Sequence, residues 1–220
     1  MASIESGTIF KFNIPFEMGC GYAKMIDFSS LDLYYGITIK VYDYFEIGEI
    51  KDVEFFRDKP LFMNPIPIVK MPSIRGKYAW KKIGVLHEAA DIEKPVYKEY
   101  VHEGFAFDKL EKYQQKEWNA WIIGNGKIGP FPFGKVRHLE ELFFRSTITI
   151  EKRVAMQLLR YKNVDVKNFF SAHSSESHWE VDFNTQQFIP LYKHLPAAIR
   201  GKPLIKGWVP DEYLNYTFED

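Results

Sequence analysis

The stretch from Gly7 to Phe45, GTIFKFNIPFEMGCGYAKMIDFSSLDLYYGITIKVYDYF, restricts the fold more than any other part of the chain. Three β-rich runs, residues 8–14, 22–28 and 36–45, follow one another and are separated by Pro, Gly, Ser and Asp, which predicts a three-stranded antiparallel meander. In the first run Thr8, Phe10, Phe12 and Ile14 share one parity and Ile9, Lys11 and Asn13 the other, so one sheet face is apolar. In the third run Ile37, Ile39, Val41 and Asp43 oppose Thr38, Lys40, Tyr42 and Tyr44. The second face is therefore polar and aromatic.

Residues 47–60 are charged with scattered apolar positions, which predicts a connection or a short strand on the surface. Four prolines between 60 and 72 exclude a helix and make residues 61–70 extended, at a sheet edge. Alternation returns over 76–86, a strand expected to end near Gly84 and to join the first sheet. Strands are also expected at 96–101 and 118–123, with a short helix over 108–117 capped by Asp108 between them. Asn125-Gly126 signals a hairpin, and the rest of GNGKIGPFPFG is expected to be irregular. Residues 149–161 place Ile150, Val154, Ala155, Leu158 and Leu159 on one helical stripe, with Thr149 at the N-cap, and this helix is expected to pack on the sheet. The proline-rich tail from 190 admits one-turn helices or extended segments. The expected class is α+β: an N-terminal antiparallel meander or partly open small barrel, then a region with one clear amphipathic helix. Residues 1–220 are expected to form a single domain, with 91–220 packed on the β-rich 1–90.

The 29 basic and 29 acidic residues balance, which argues against a nucleic-acid partner, because phosphate affinity comes mainly from clustered positive charge. Cys20 is the only cysteine, so no internal disulfide forms, which fits a reducing compartment. The opening MASIESGTIF has neither a basic nor an apolar leader segment, and no apolar run reaches membrane-spanning length. A cytoplasmic location without membrane contact is expected.

Candidate chemistry is sparse. His173 and His178, with Glu176 and Glu180 nearby, have the donor types of a metal site, but histidines five apart do not share a helix face and the serine-rich surroundings suggest a surface loop. His138-Leu139-Glu140-Glu141 lacks the second histidine of a zinc-protease helix. Cys20 lies between glycines with no identifiable base to activate it. No metal or organic cofactor is expected.

The aromatic residues are more informative. Tyr34, Tyr35, Tyr42 and Tyr44 gather around the third run, and a rigid polar-aromatic face is the usual anchor set for a protein partner. The expected partner surface is Tyr35, Tyr42 and Tyr44, with Asp43 or Asp32 at its rim, unless a later segment covers it. The segments GTIFKFNIP, GYAKMIDF and ITIKVYDYF, followed by GKYAWKKIG, resemble the immunity protein 26 family of bacterial polymorphic toxin systems. That family opens with a Gly-x-Ile-Phe strand, a Gly-Tyr strand and a strand ending in an acidic-aromatic pair. The resemblance covers about the first ninety residues. It implies a small cytoplasmic antidote that binds a cognate protein toxin and has no catalysis of its own. Two other readings stay open: a hydrolase-like enzyme with a dispersed site such as Glu88, His102 and His138, and a small β-barrel reader of nucleic acid using Lys81, Lys82, Lys135 and Arg137 beside Trp80 and Phe133.

Overall fold

A computed structural model of the protein describes residues 4–33, 36–46, 48, 50, 52–77, 79–101, 110–142, 146–174 and 190–218. In chain order these form strands β1 (Thr8–Asn13), β2 (Cys20–Asp27), β3 (Ile37–Val41), β4 (Ile66–Pro67), β5 (Lys81–Val85) and β6 (Val96–Tyr100). Helix α1 (Leu110–Gln114), strands β7 (Glu117–Ile122) and β8 (Gly126–Pro132), helix α2 (Phe133–Val136), strand β9 (Glu140–Glu141) and helices α3 (Thr147–Tyr161) and α4 (Val166–His173) follow. The class is α+β, with two open sheets rather than a barrel. The chain divides into two compact units, one holding β1–β5 with α3 and α4, the other β6–β9 with the C-terminal tail.

The first unit is a five-stranded antiparallel sheet in the order β4-β3-β2-β1-β5, so the meander stands at its centre. β5 joins the free side of β1 across a register shift at Ile9/Phe10, and the proline-containing β4 takes the opposite edge, where a missing N–H is tolerated. The apolar parity of the runs becomes the main core: Phe10, Phe12, Met25, Ile39 and Val41 meet Ile150, Val154, Ala155 and Leu159 of α3. Trp80 stacks on Phe12 at 4.6 Å and its indole N–H donates to Glu151 Oε1 at 2.7 Å, joining strand, turn and helix. The N-cap of α3 is Ser146 rather than Thr149. The Ser146 hydroxyl accepts the Thr149 amide at 3.2 Å, which places Thr149 in the first turn. α4 has no counterpart among the expected elements, and its last residues, 171–173, enter the serine-rich stretch expected to be a surface loop. Asp165 caps it by accepting the Asn168 amide, and Phe170 anchors it in the core.

Residues 50–61 differ from the expected surface connection. Their 3₁₀ turn, Val53–Phe56, carries Phe56 into full burial against the second sheet face. Val53, Phe55 and Phe56 span only four residues, too few to show a period among the surrounding charges.

In the second unit the sheet order is β8-β7-β6-β9, antiparallel except for the β6–β9 pair. The β7–β8 hairpin forms where Asn125-Gly126 signalled one, with its turn at 123–125 and Gly126 already paired with Ile122, but GKIGPFP is a strand rather than irregular. Pro130 and Pro132 are accommodated because β8 is an edge with one unpaired side. The tail folds as 3₁₀ turns at Tyr192–His194, Ala197–Ile199 and Asp211–Tyr213 around Leu195, Ile199, Leu204 and Val209. Its Leu204 amide donates to the Lys135 carbonyl at 2.9 Å. Among the described residues no helix is long and apolar enough to cross a membrane.

The β1–β2 pairing sets Phe12 opposite Gly21, and a Cβ on Gly21 would lie 2.4 Å from the Phe12 ring. Gly21→Ala is therefore expected to destabilise the protein by about 1–3 kcal/mol in urea unfolding. The added Phe12→Leu, by clearing the ring, should recover part of that loss; additive losses from the two changes would show that the close approach is not the cause.

Candidate partner-binding surface

The second sheet face, polar and aromatic in the sequence, is covered. Tyr22 and Tyr42 are neighbours on β2 and at the end of β3, with the Tyr42 amide donating to the Tyr22 carbonyl at 2.9 Å. Phe56 packs on both rings, at centroid distances of 5.1 and 4.9 Å. Tyr42 is only 3% exposed, so it is a core residue and not a surface anchor. Its hydroxyl makes no hydrogen bond, and burial, helped by the charges of Glu88 and Asp91, raises its pKa well above the ordinary tyrosine range. The Tyr22 hydroxyl is satisfied by donating to the Gly48 carbonyl at 3.0 Å.

Beside the tyrosines lies an ion cluster. Lys24 projects from the middle of the central strand and is 1% exposed. A charged amine with so little water must be neutralised by the protein. Glu88 Oε2 and Asp91 Oδ2 each lie 2.6 Å from its ammonium. Both acids stand at the 3₁₀ turn Ala89–Ile92, where the Glu88 amide also donates to Asp91 Oδ2 at 2.9 Å. The other Glu88 oxygen accepts the Asp58 amide at 3.1 Å. Lys40, next to Lys24 in the β2–β3 register, donates to the Ala90 carbonyl at 3.1 Å and sits 3.7 Å from Asp91 Oδ1. Burial lowers the Lys40 pKa, and Asp91 opposes that shift. One cluster thus clamps β2, β3 and two covering segments.

What remains accessible of the expected aromatic surface is its rim. Tyr44 is half-buried, its hydroxyl donates to Glu46 Oε2 at 2.9 Å, and that bond raises its pKa. The ring meets exposed Phe55 edge-on at 4.8 Å, and Lys59 stands 4.3 Å over Phe55. This amphipathic trio has the composition of a small interface patch. Asp43 is half-buried beside Tyr44, and its amide donates to the Pro60 carbonyl. Asp32 is half-buried on the β2–β3 loop between exposed Leu31 and Leu33, at the other end of β3, so the structure does not bring it to Tyr44. Tyr35, like Tyr34, lies outside the described residues.

The other readings fare as follows. Glu88 serves Lys24 and a backbone amide, and it belongs to the first unit while His138 belongs to the second. His102 lies outside the described residues. His138 is fully buried, stacked on Phe218, and its Nε2–H donates to the Lys202 carbonyl. Trp80 is a buried core residue, not a stacking platform for bases. In the second unit a cleft of about 600 Å³ brings Phe133, Lys135 and Arg137 together, but Lys135 donates to the Leu214 carbonyl and Arg137 lies 5.7 Å from the Phe218 ring centre. Cys20 opens β2, with its Sγ 3.7 Å from Asn13 Oδ1. His173 ends α4 rather than lying in a loop, stacks on Phe169, and its Nδ1–H donates to the Phe169 carbonyl. His178, Glu176 and Glu180 lie outside the described residues. Among the described residues, no three His, Cys, Asp or Glu side chains converge as a metal site.

No family model, characterised protein or solved structure matches the chain.

Two variants separate the roles on the covered face. Tyr42→Phe removes a buried hydroxyl that has no partner and is expected to leave thermal stability unchanged or raise it. Lys24→Met leaves the Glu88 and Asp91 carboxylates with only the more distant Lys40 ammonium as counter-charge and is expected to cost about 3 kcal/mol in urea unfolding. A neutral Lys24→Met would show that the cluster is not what holds the cover down.

Burial pushes the His138 imidazole down to about 4 from an ordinary 6.5, against the opposing bonds to the Lys202 and Ile199 carbonyls. The unfolded chain takes up this proton near pH 6.5 and the folded chain resists it until about pH 4, so stability falls as pH drops through that window. The full loss is about 3 kcal/mol, and His138→Gln should flatten the profile of unfolding free energy between pH 7 and 4 by that amount.

Proposed function

We propose that this protein is an immunity protein that binds a cognate protein toxin and neutralises it by occlusion, without catalysis of its own, in the cytoplasm. The observation that carries this reading is the placement of the segments resembling the immunity protein 26 family. GTIFKFNIP, GYAKMIDF, ITIKVYDYF and GKYAWKKIG supply β1, β2, β3 and β5, which are contiguous in one sheet. The chemistry of the unit agrees with a binding role. The charged groups of the second face, Lys24 and Lys40, are spent on internal ion pairs, which builds a rigid platform, and the rim of half-buried Tyr44 with exposed Phe55 and Lys59 offers aromatic anchors at low entropic cost to a partner.

The test is co-expression with the product of the neighbouring upstream gene, which this reading expects to end in a toxin domain. The intact chain is expected to restore growth and to form a stoichiometric complex on size-exclusion chromatography. Tyr44→Ala combined with Phe55→Ala should weaken that complex by about tenfold or more while lowering the melting temperature by a few degrees without unfolding the chain, whereas Tyr42→Phe should bind normally. Growth arrest that persists with the folded wild-type chain would overturn the reading.

A further inference from the structure

At the end of the first unit opposite Tyr44, the chain leaving β4 and the start of α3 enclose a groove of about 650 Å³. Its apolar wall is Val69, Met71 and Ile148, and its basic wall is Lys70, Arg75 and Lys77. Val69 is 62% and Ile148 40% exposed, high values for branched apolar side chains whose neighbours Ile68 and Ile150 are fully in the core. Leu31 and Leu33 are also exposed, on the loop that leaves the same end of the sheet: that loop runs into Ile37, whose carbonyl accepts the Ile68 amide at 2.9 Å. Exposed apolar side chains gathered at one place mark interaction surfaces more often than isolated ones do.

Charge selects the occupant. The chain as a whole is neutral, with 29 basic and 29 acidic residues, yet among the described residues lining this groove the charged ones, Lys70, Arg75 and Lys77, are all basic. An electropositive groove in a neutral protein is local complementarity and not a consequence of composition. A nucleic-acid strand would meet the same cations, but single strands are held by stacking on aromatic rings, and among the described residues the groove is walled by aliphatic and thioether side chains instead. Aliphatic and thioether walls suit an apolar side chain of a polypeptide.

We propose that this groove docks an acidic protein segment carrying one apolar anchor residue, contributed by the partner that the protein neutralises. The assignment rests on the immunity reading for the identity of the partner and on the groove itself for the chemistry of the segment. The acidic side chains pair with Lys70 and Arg75, and the anchor lies between Val69 and Ile148. This contact is separate from the Tyr44–Phe55 rim, so the partner touches both ends of β3.

The probe is a fluorescein-labelled peptide of alternating Glu and Asp around a single Leu, titrated with the intact chain by fluorescence anisotropy. Saturable binding is expected that weakens with salt, with loss of the Leu, and by about tenfold or more in the double variant Lys70→Glu, Arg75→Glu. Ile148→Asp supplies a control on folding. An acid in the first turn of α3 favours the helix, so melting temperature should hold or rise while peptide binding falls. Absence of saturable binding, equal binding by these folded variants, or tighter binding of an oligo-dT strand than of the peptide would overturn the assignment. With the upstream toxin, a double variant that protects as well as the wild type removes the groove from the interface and leaves the immunity reading standing. Peptide binding lost in the double variant, together with no protection by the wild type, supports the groove chemistry and removes the immunity reading.

Discussion

Lys24 determines how the first unit is closed. It stands on the central strand of the sheet, on the face that α3 does not cover, and its ammonium has almost no access to water. An uncompensated charge there is costly enough to oppose folding of the whole sheet, so the 3₁₀ turn bearing Glu88 and Asp91 must be laid over it. Once that turn is in place Lys40 gains the Ala90 carbonyl, Asp58 is tied to Glu88, and the segment ending at Leu61 is drawn across Tyr22 and Tyr42. The aromatic packing of Phe56 then supplies apolar burial, while the ions fix where the cover sits.

This arrangement explains which parts of the fold were legible in the sequence. Alternation in residues 8–45 gives strand positions, facing and register because a half-buried strand has a side-chain period of two, and the α3 stripe is equally explicit. Parity also separated Lys40 and Tyr42 from the core of Phe10, Ile39 and Val41. It could not say whether that second face meets water. A cover made of a four-residue turn and a few charged side chains has no period, and its partners are 64 residues away from Lys24 in the case of Glu88. The only sequence signal was Lys24 itself, a lysine inside an otherwise apolar run, GYAKMIDF, which calls for a counter-charge when the strand is central.

The candidate site was legible in its residue types and not in its placement. Tyr42 and Tyr44 are two apart and share a face, yet one is core and the other rim, because Phe56 reaches the first while Phe55, the next residue back, stays at the boundary with Tyr44. The basic groove was harder still. Lys70, Arg75 and Lys77 lie in a proline-rich segment with no periodicity, and Ile148 looks in sequence like one more apolar position of the helix stripe. Only the start of α3 at Thr147, two residues before the position that Thr149 suggested, turns Ile148 outward toward that segment.

The second unit follows the same physical rule with a different solution. Lys98 is buried at the centre of its sheet, but it donates to the Arg137 carbonyl and lies 5.8 and 5.5 Å from the ring centres of Trp118 and Phe133. Aromatic rings and a backbone oxygen thus stand close to this cation, and Glu141 is its register partner on β9. Each sheet therefore commits a central lysine and its surroundings to internal cohesion. Faces used in this way are not available for recognition, and chemistry directed outward is left to strand ends, edges and the loops between them. That constraint, more than any single residue, places the exposed aromatic rim and the basic groove of the first unit at the two ends of β3 rather than on its face.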